Sequence, residues 1–159
     1  MNEVVMITGA AGTLGRAVAA AFAGAGARLA LLDIAAKGLE KAYGADSDRQ
    51  ILIAADLGDA KAVAAAVAKV TAKFGPIGVL CNVAGGFRMG PTVHETPDEL
   101  WKGMMDINVG TLLNAVRGVV PGMLAAGSGK IVAFRDGVAD PSGALSTVLE
   151  MSAMRRTAS

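Results

Sequence analysis

The sequence predicts an α/β fold, a doubly wound parallel sheet of about five strands with helices on both faces. Short runs rich in β-branched and other apolar residues alternate along the chain with longer alanine-rich stretches of helical spacing. The short runs are continuously apolar, as expected of strands that are buried on both faces. A chain of 159 residues that is 53% hydrophobic is also long enough for one domain with a sizeable core.

The first half of the chain alternates strands and helices. Residues 4–7 (VVMI) are the first apolar run, and a glycine-rich turn leads from them into a helix over residues 13–25. The next strands are expected at residues 28–33 and 50–56, with a short helix near residues 36–43 between them. A further helix follows, and its apolar positions at helical spacing are Val63, Val67, Val70 and Phe74.

The fourth strand is expected at residues 77–83, and a strong helix start follows it. Thr96, Pro97 and Glu99 match an N-cap residue, a first-turn proline and a capping-box glutamate. This pattern predicts a long helix that begins here and runs to about residue 126.

The fifth strand is expected at residues 130–134 (KIVAF), and the character of the sequence changes after it. The segment that follows is rich in Ser, Met, Arg and Gly and has only a weak helical pattern. We therefore expect one domain over residues 1–134, followed by a divergent, weakly helical tail over residues 135–159.

The composition excludes several classes of function. Fifteen Lys and Arg residues against fourteen Asp and Glu residues give a net charge of +1, so there is no basic excess for nucleic acid or an anionic membrane. No stretch of about 18 residues lacks a charge, and no signal peptide is expected at the start. Cys81 is the only cysteine, which fits a reducing cytoplasm, and one cysteine with one histidine gives no dense zinc site.

A glycine-rich loop (TGAAGTLG) joins the first strand to the first helix. An open α/β sheet binds a dinucleotide at this position. Gly9 permits the tight turn, Gly12 lets the backbone approach the pyrophosphate, and Gly15 lets the helix pack closely. The helix N-terminus, which includes Thr13 and Leu14, supplies N–H groups and a partial positive charge to the phosphates.

The second strand ends in Asp33, where a carboxylate can accept both ribose hydroxyls of NAD. Ile34 follows instead of Arg or Lys, so no cation neutralises a 2′-phosphate, and NAD is favoured over NADP. The pattern is typical of a Rossmann-type dinucleotide-binding domain. The alternative is a plain glycine turn with a solvated aspartate at the end of a strand.

With three later motifs, this pattern resembles the short-chain dehydrogenases/reductases. Asp56 and Leu57, after the third strand, are similar to the family's adenine-contacting aspartate segment. Residues 82–85 (NVAG) are similar to its Asn-Asn-Ala-Gly motif, with Cys81 in place of the first Asn. Asn108 matches the helix asparagine of the family's active site. The resemblance extends from the first strand to the fifth.

The resemblance implies a role for each of these cofactor residues. Asp56, with Leu57, would contact the adenine. Asn82 would brace the edge of the sheet, while Ala84 and Gly85 would leave room for the cofactor. From the residues alone, a second interpretation of Asp56 stays open, namely that it caps the helix that follows.

The family's catalytic groups are matched only at Asn108, which would distort the long helix and help hold a proton-relay water. An alternative for Asn108 is a satisfied polar residue on an apolar helix. The family also needs a Ser after the fifth strand and a Tyr-x-x-x-Lys on the next helix. The nearest serine is Ser142, and the only tyrosine, Tyr43, lies far upstream and is interpreted as a surface or packing residue. The run MSAMR at Met151 matches the tyrosine motif only in its Ser-Ala dipeptide.

Two other reactive side chains are interpreted without a catalytic role. His94 is expected in a solvated loop and Cys81 as a small apolar residue of a strand. The loop over residues 86–90 would line the substrate side of the cleft in the family fold.

The resemblance implies an NAD-dependent oxidoreductase that transfers hydride between nicotinamide and a small alcohol or ketone substrate. Because the Ser and the Tyr-x-x-x-Lys are not found in place, we expect impaired turnover in this chain. The family usually docks a partner subunit on the apolar side of the long helix, which implies a homo-oligomer. Two alternatives are a non-catalytic dinucleotide-binding module and a truncated or frame-disrupted product.

Overall fold

A computed structural model describes residues 3–88, 90–134 and 148–152. Along the chain the elements are β1 (Val4–Thr8), α1 (Thr13–Gly24), β2 (Arg28–Asp33), α2 (Ala36–Tyr43), β3 (Gln50–Ala54), α3 (Ala60–Phe74), β4 (Val79–Asn82), a 3₁₀ turn (Val93–Glu95), α4 (Asp98–Met105), a π-helical segment (Asp106–Gly110), α5 (Thr111–Ala125), β5 (Lys130–Phe134) and β6 (Val148–Ser152). The strands form one sheet in the order β3-β2-β1-β4-β5-β6.

The first five strands are parallel, which confirms the predicted doubly wound α/β fold. Side chains of the inner strands point alternately to the two faces, as the pleat requires. Val4 and Met6 pack with α3 and α5, whereas Val5 and Ile7 pack with α1 and α2. Helices therefore cover both faces, and the apolar runs are buried on both sides because each face has its own layer.

The sixth strand, β6, corrects the expectation of a weakly helical tail. Residues 148–152 run antiparallel to β5, with Phe134 opposite Val148 and Lys130 opposite Ser152. A helix there would leave the backbone groups along the outer edge of β5 without these partners, and the strand satisfies them. The rest of the predicted tail, residues 135–147 and 153–159, lies outside the described residues, so the domain boundary at residue 134 stays a prediction.

The prediction that Thr96 is the N-cap residue of the long helix is wrong. The helix begins at Asp98 after Pro97, and the Thr96 hydroxyl donates to the Thr92 carbonyl oxygen at 3.3 Å. The Thr96 amide also bonds back to Val93, so this residue belongs to the preceding 3₁₀ turn. Thr96 therefore makes the hydrogen bonds of the 3₁₀ turn instead of those of a helix cap.

The predicted long helix is present but is divided by the π-helical segment between α4 and α5. The packed side of α5 comprises Thr111, Ala115, Val119 and Met123. Neither α4 nor the π-helical segment has a buried residue. Of the parts of the long helix, only α5 is therefore packed onto the sheet.

No helix within the described ranges combines the length and the hydropathy that a bilayer crossing requires.

Candidate cofactor-binding site

The glycine loop between β1 and α1 is shaped by two close backbone approaches. Gly9 has a φ of 63°, and a Cβ there would lie 2.9 Å from both the N and the Cα of Ala84. At Gly15, a Cβ would collide with the Gly9 carbonyl oxygen and lie 2.7 Å from the Cα of Ala10. Both positions therefore require glycine, and Gly9 serves the contact with the loop after β4 as well as the turn.

The first turn of α1 has the properties of an anion site. Gly12 is the N-cap residue, no side chain of the described residues caps this end, and the first turn has no acidic residue. Thr13 and Leu14 are exposed, and Leu14 retains 40% of its accessible surface. Helix N-termini with uncapped N–H groups favour phosphate. The turn therefore fits the pyrophosphate of a dinucleotide.

Asp33 at the end of β2 lies against this loop. Its Oδ2 accepts a hydrogen bond from the Ala11 amide at 3.0 Å, and its Oδ1 lies 3.5 Å from the Ala35 amide. The carboxylate is half-buried, and Ile34 beside it is 73% exposed. An ionised carboxylate has about four lone-pair sites, so acceptor capacity remains for ribose hydroxyls.

Thr8 joins the loops that follow β1 and β4, a role that the sequence reasoning did not assign. Its hydroxyl is fully buried and donates to Asn82 Oδ1 at 3.1 Å. The Thr8 Oγ1 also accepts from the amides of Val83 and Ala84, each at 3.1 Å. A polar residue that ends an otherwise apolar buried strand is the signal that could have found it. Asn82 lies where the resemblance placed it, at the end of β4.

Asp56 is exposed after β3, and its Oδ1 accepts from the Gly58 amide at 2.8 Å. The cap of α3 is Asp59, which accepts from the Lys61 amide. The capping interpretation of Asp56 is therefore wrong, because Asp56 forms a local turn. Leu57 has its side chain in the core.

Asn114 on α5 holds the same segment and was missed. Its Nδ2 donates to the carbonyl oxygens of Leu57 at 2.9 Å and Gly58 at 3.1 Å. An asparagine on the half-buried side of an otherwise apolar helix was the available signal. The contact fixes the loop after β3 from a helix that lies 57 residues further along the chain.

Asn108 lies in the π-helical segment, so the helix is distorted where the resemblance implied. Its Oδ1 accepts from the Gly86 amide at 3.0 Å, while its Nδ2 donates to the carbonyl oxygens of Gly86 and Met104, each at 2.9 Å. Both N–H groups of the amide are thereby used. A Cβ on Gly85 would lie 2.7 Å from Asn108 Oδ1, which explains a glycine there. The amide fixes the loop after β4, and only one oxygen lone pair remains for a water.

A cleft of about 180 Å³ lies between this loop and α4. The residues that line it include Gly86, Phe87, Arg88, Glu99, Leu100 and Met104. The loop after β4 thus borders a cleft, as the resemblance implied for the substrate side.

Tyr43 packs against the core cluster beneath α1 and α2, as its interpretation as a packing residue expects. It also has a contact that was not predicted, because its hydroxyl donates to the Ala10 carbonyl oxygen at 2.6 Å. Burial raises the pKa of Tyr43 above its usual value; Arg16 opposes the shift and Asp33 adds to it. No local pattern predicts this contact, because it joins residues 33 positions apart.

Cys81, His94 and Ser142 are the other reactive side chains that the sequence analysis names. Cys81 is 1% exposed, and burial raises the pKa of its thiol to about 11, so it stays protonated at neutral pH. His94 is exposed in the 3₁₀ turn. Among the described residues, no three His, Cys, Asp or Glu side chains are grouped for a metal ion. Ser142 lies outside the described residues.

The weak match at Met151 is not supported. The family's tyrosine motif requires a helix, whereas Met151 and Ser152 are paired in β6. This strand places the two residues opposite Ile131 and Lys130 of β5.

The chain belongs to the short-chain dehydrogenase family, whose family model matches residues 3–139. It is 37% identical over 138 residues to 2-(R)-hydroxypropyl-CoM dehydrogenase of Xanthobacter autotrophicus, covering 83% of this chain and 55% of that protein. It is 38% identical over 134 residues to D-threitol dehydrogenase of Mycolicibacterium smegmatis, covering 82% and 51%.

Solved structures agree with the sequence comparison. A short-chain dehydrogenase from Streptomyces avermitilis superposes with a TM-score of 0.76 at 28% identity, covering 84% of this chain and 49% of that one. The fold and the family are thereby established, and the family is one of oxidoreductases. The chain spans about half the length of the curated relatives it matches.

Proposed function

We propose that this chain binds NAD along the carboxyl edge of the sheet. The observation that carries the proposal is the position of Asp33, whose carboxylate lies against the Ala11 amide of a glycine loop that opens onto the uncapped end of α1. The carboxylate suits a ribose diol and repels a 2′-phosphate, which favours NAD over NADP. The relatives support a dinucleotide of this general kind, since two of them are named as dehydrogenases.

Each group of residues then has a part in binding. The amides of Thr13, Leu14 and Gly15 would hold the pyrophosphate, Asp33 the ribose, and the turn at Asp56 the adenine. When bound, NAD supplies the nicotinamide ring that accepts or gives up hydride. The loop after β4, fixed by Thr8 and Asn108, would border the nicotinamide half of the site.

For the substrate we propose a small alcohol or ketone, with impaired turnover in this chain. The names of the relatives, a hydroxypropyl and a threitol dehydrogenase, support a substrate with a hydroxyl group. The only tyrosine in the sequence, Tyr43, is bonded to the glycine loop instead of facing the cleft beside α4. Without a tyrosine placed there as general acid or base, a rate factor of about 10² to 10⁴ is lost.

The position of Tyr43 also favours a second function, a dinucleotide-binding module without catalysis. Assays of the purified chain with NAD and a panel of secondary alcohols separate the two. Turnover that scales with enzyme concentration rules out the module, and NAD binding without turnover of any alcohol in the panel favours it.

Titration with NADH, followed by its fluorescence, tests the cofactor proposal. We expect saturable binding to the wild-type chain and a loss of about tenfold or more in affinity for Asp33→Asn, which keeps an acceptor for Ala11 but removes the charge. Glu40→Gln is the matched control, because it removes the same charge from an exposed position on α2. Absence of a signal at millimolar NADH, or equal affinities for all three proteins, contradicts the proposal.

We also propose a homo-oligomer formed through the long helix. Exposed apolar side chains recur every four residues along it: Trp101, Met105, Val109 and Leu113. Such a stripe suits association with a like helix. Sedimentation velocity should show a concentration-dependent dimer that Met105→Glu abolishes, and a wild-type monomer at every concentration contradicts it.

We also propose that the protein is located in the cytoplasm. The one cysteine is a buried free thiol, which suits a reducing compartment. Fractionation of the native host would test it, and recovery of the protein outside the cytoplasm contradicts it.

A further inference from the structure

Tyr43 and Asp33 hold the two ends of one peptide group in the glycine loop. The Tyr43 hydroxyl donates to the carbonyl oxygen of Ala10 at 2.6 Å. The amide of Ala11, which belongs to the same peptide group, donates to Asp33 Oδ2 at 3.0 Å. The orientation of this peptide plane is therefore fixed from both sides, since a flip would break both hydrogen bonds.

The backbone of Tyr43 is itself anchored to a neighbouring strand. Gln50 Nε2 donates to the Tyr43 carbonyl oxygen at 3.0 Å, which ties the end of α2 to β3. Helix α2 also approaches the loop closely, because a Cβ on Gly38 would lie 3.3 Å from the Cβ of Ala11. The hydroxyl thus reaches the loop from a part of the molecule that is anchored independently.

The Ala10–Ala11 peptide stands immediately before Gly12, the N-cap residue of α1. Its orientation decides which way the chain enters the turn whose amides would face a pyrophosphate. Asp33 has a second contact, because its other oxygen lies 3.5 Å from the amide of Ala35, so its carboxylate does not depend on this peptide alone.

We propose that Tyr43 is a positioning residue of the cofactor site, which fixes the Ala10–Ala11 peptide and through it the phosphate-binding turn. This inference rests on the proposed function, because it assigns Tyr43 to the same site. Tyr43 does not touch the reacting atoms.

The electrostatic setting keeps the phenol in the form that the contact needs. Burial is the main cause of its raised pKa, the nearby Asp33 carboxylate adds to it, and Arg16 works against it. The hydroxyl therefore remains a donor throughout the neutral range.

Tyr43→Phe removes the hydroxyl and keeps the ring, so it isolates the hydrogen bond. Thr96→Val is the matched control, because it removes a hydroxyl that also donates to a backbone carbonyl, but in the turn before α4. We expect Tyr43→Phe to weaken NADH binding about fivefold and adenosine binding less than twofold, since adenosine has no pyrophosphate. A merely structural hydroxyl would leave the ratio of the two affinities unchanged, as we expect for Thr96→Val.

Amide hydrogen exchange in the protein without ligand gives a readout that does not depend on NADH. Tyr43→Phe should speed exchange at Ala11 about fivefold and leave the amide of Val63 on α3 unchanged. Unchanged exchange at Ala11 overturns the claim that Tyr43 fixes the Ala10–Ala11 peptide. Faster exchange with an unchanged ratio of NADH to adenosine affinity overturns the role of Tyr43 in binding.

The two proposals can fail separately. A wild-type chain that does not bind NADH contradicts the proposed function, and with it the assignment of Tyr43 to a cofactor site, whatever the exchange rates. A wild-type chain that binds NADH with the same affinity as Tyr43→Phe leaves the function standing and overturns this inference.

Discussion

The glycine-loop half of the molecule and the long-helix half are built differently. From β1 to α3, the loop peptides are fixed by buried or half-buried partners such as Thr8, Asp33 and Tyr43. From the loop after β4 to α5, large apolar side chains stay exposed. Among the described residues, every exposed large apolar side chain except Leu14 and Ile34 lies after Gly85. The loops of the first half are therefore held by partners within the described residues, whereas the second half leaves large apolar side chains exposed.

The largest effect is expected where the first half is tightest, at Gly15. Gly15→Ala places a Cβ against the backbone of Gly9 and Ala10, where no flexible side chain can yield. We expect a loss of about 3 kcal/mol or more in the free energy of unfolding, measured with urea.

Gly24→Ala, at the other end of the same helix, is the control for Gly15→Ala. A Cβ there meets no atom of the described residues within 4 Å, so the change should be neutral or stabilising by up to about 1 kcal/mol. Equal effects of the two substitutions would remove the claim that the loop is tightly packed.

The next effect tests the junction of the two halves, at Thr8. Thr8→Val keeps the volume but leaves the amides of Val83 and Ala84 without their acceptor, at an expected loss of about 2 kcal/mol. Thr111→Val is the comparison, because that buried hydroxyl only bonds back to Ile107 of its own helix and should matter by less than about 1 kcal/mol. The comparison fails if Thr111→Val is the more damaging change.

A smaller loss of stability is expected for a substitution at Asn108, in the long-helix half. Asn108→Ala removes three hydrogen bonds, but the site is exposed and water can replace them, so we expect a loss of about 1 kcal/mol. Hydrogen exchange at Gly86 should accelerate, while exchange at Ala11 should not. A loss as large as that of Thr8→Val would show that the two halves are equally rigid.

The smallest effect is expected at Trp101, which is 64% exposed. At protein concentrations below any self-association, Trp101→Gln should change the free energy of unfolding by no more than about 0.5 kcal/mol. Leu124→Gln, at an exposed position near the end of α5, should behave alike. A loss of more than about 1.5 kcal/mol at Trp101 alone would mean that this face is covered within one chain.

The strands β1 to β5 along the chain and the glycine loop could be predicted because they follow from local patterns, continuous apolar runs and glycines at a strand–helix junction. The position of Asp33 beside the loop could be predicted for the same reason, since it ends a strand at a recognisable distance from the loop. The motif after β4 and Asn108 followed from the family resemblance, and their positions agree with it.

The long-range contacts could not be predicted. Tyr43 reaches Ala10 across 33 residues, and Thr8 reaches Asn82 across 74, so their partners are known only once the sheet order is fixed. The strand β6 was missed because its pairing depends on the open edge of β5 and not on its own residue pattern. Asn114 was missed because a helix pattern shows which side is apolar but not which loop lies above it.

The central claim is that the glycine loop and Asp33 form a site for NAD. The most direct measurement is the ratio of the dissociation constants of NADPH and NADH for the wild-type chain, obtained by calorimetry under identical conditions. We predict that NADH binds at least about tenfold more tightly, because the 2′-phosphate of NADPH would meet the Asp33 carboxylate. Equal affinities, tighter binding of NADPH, or no heat with either dinucleotide would contradict the claim.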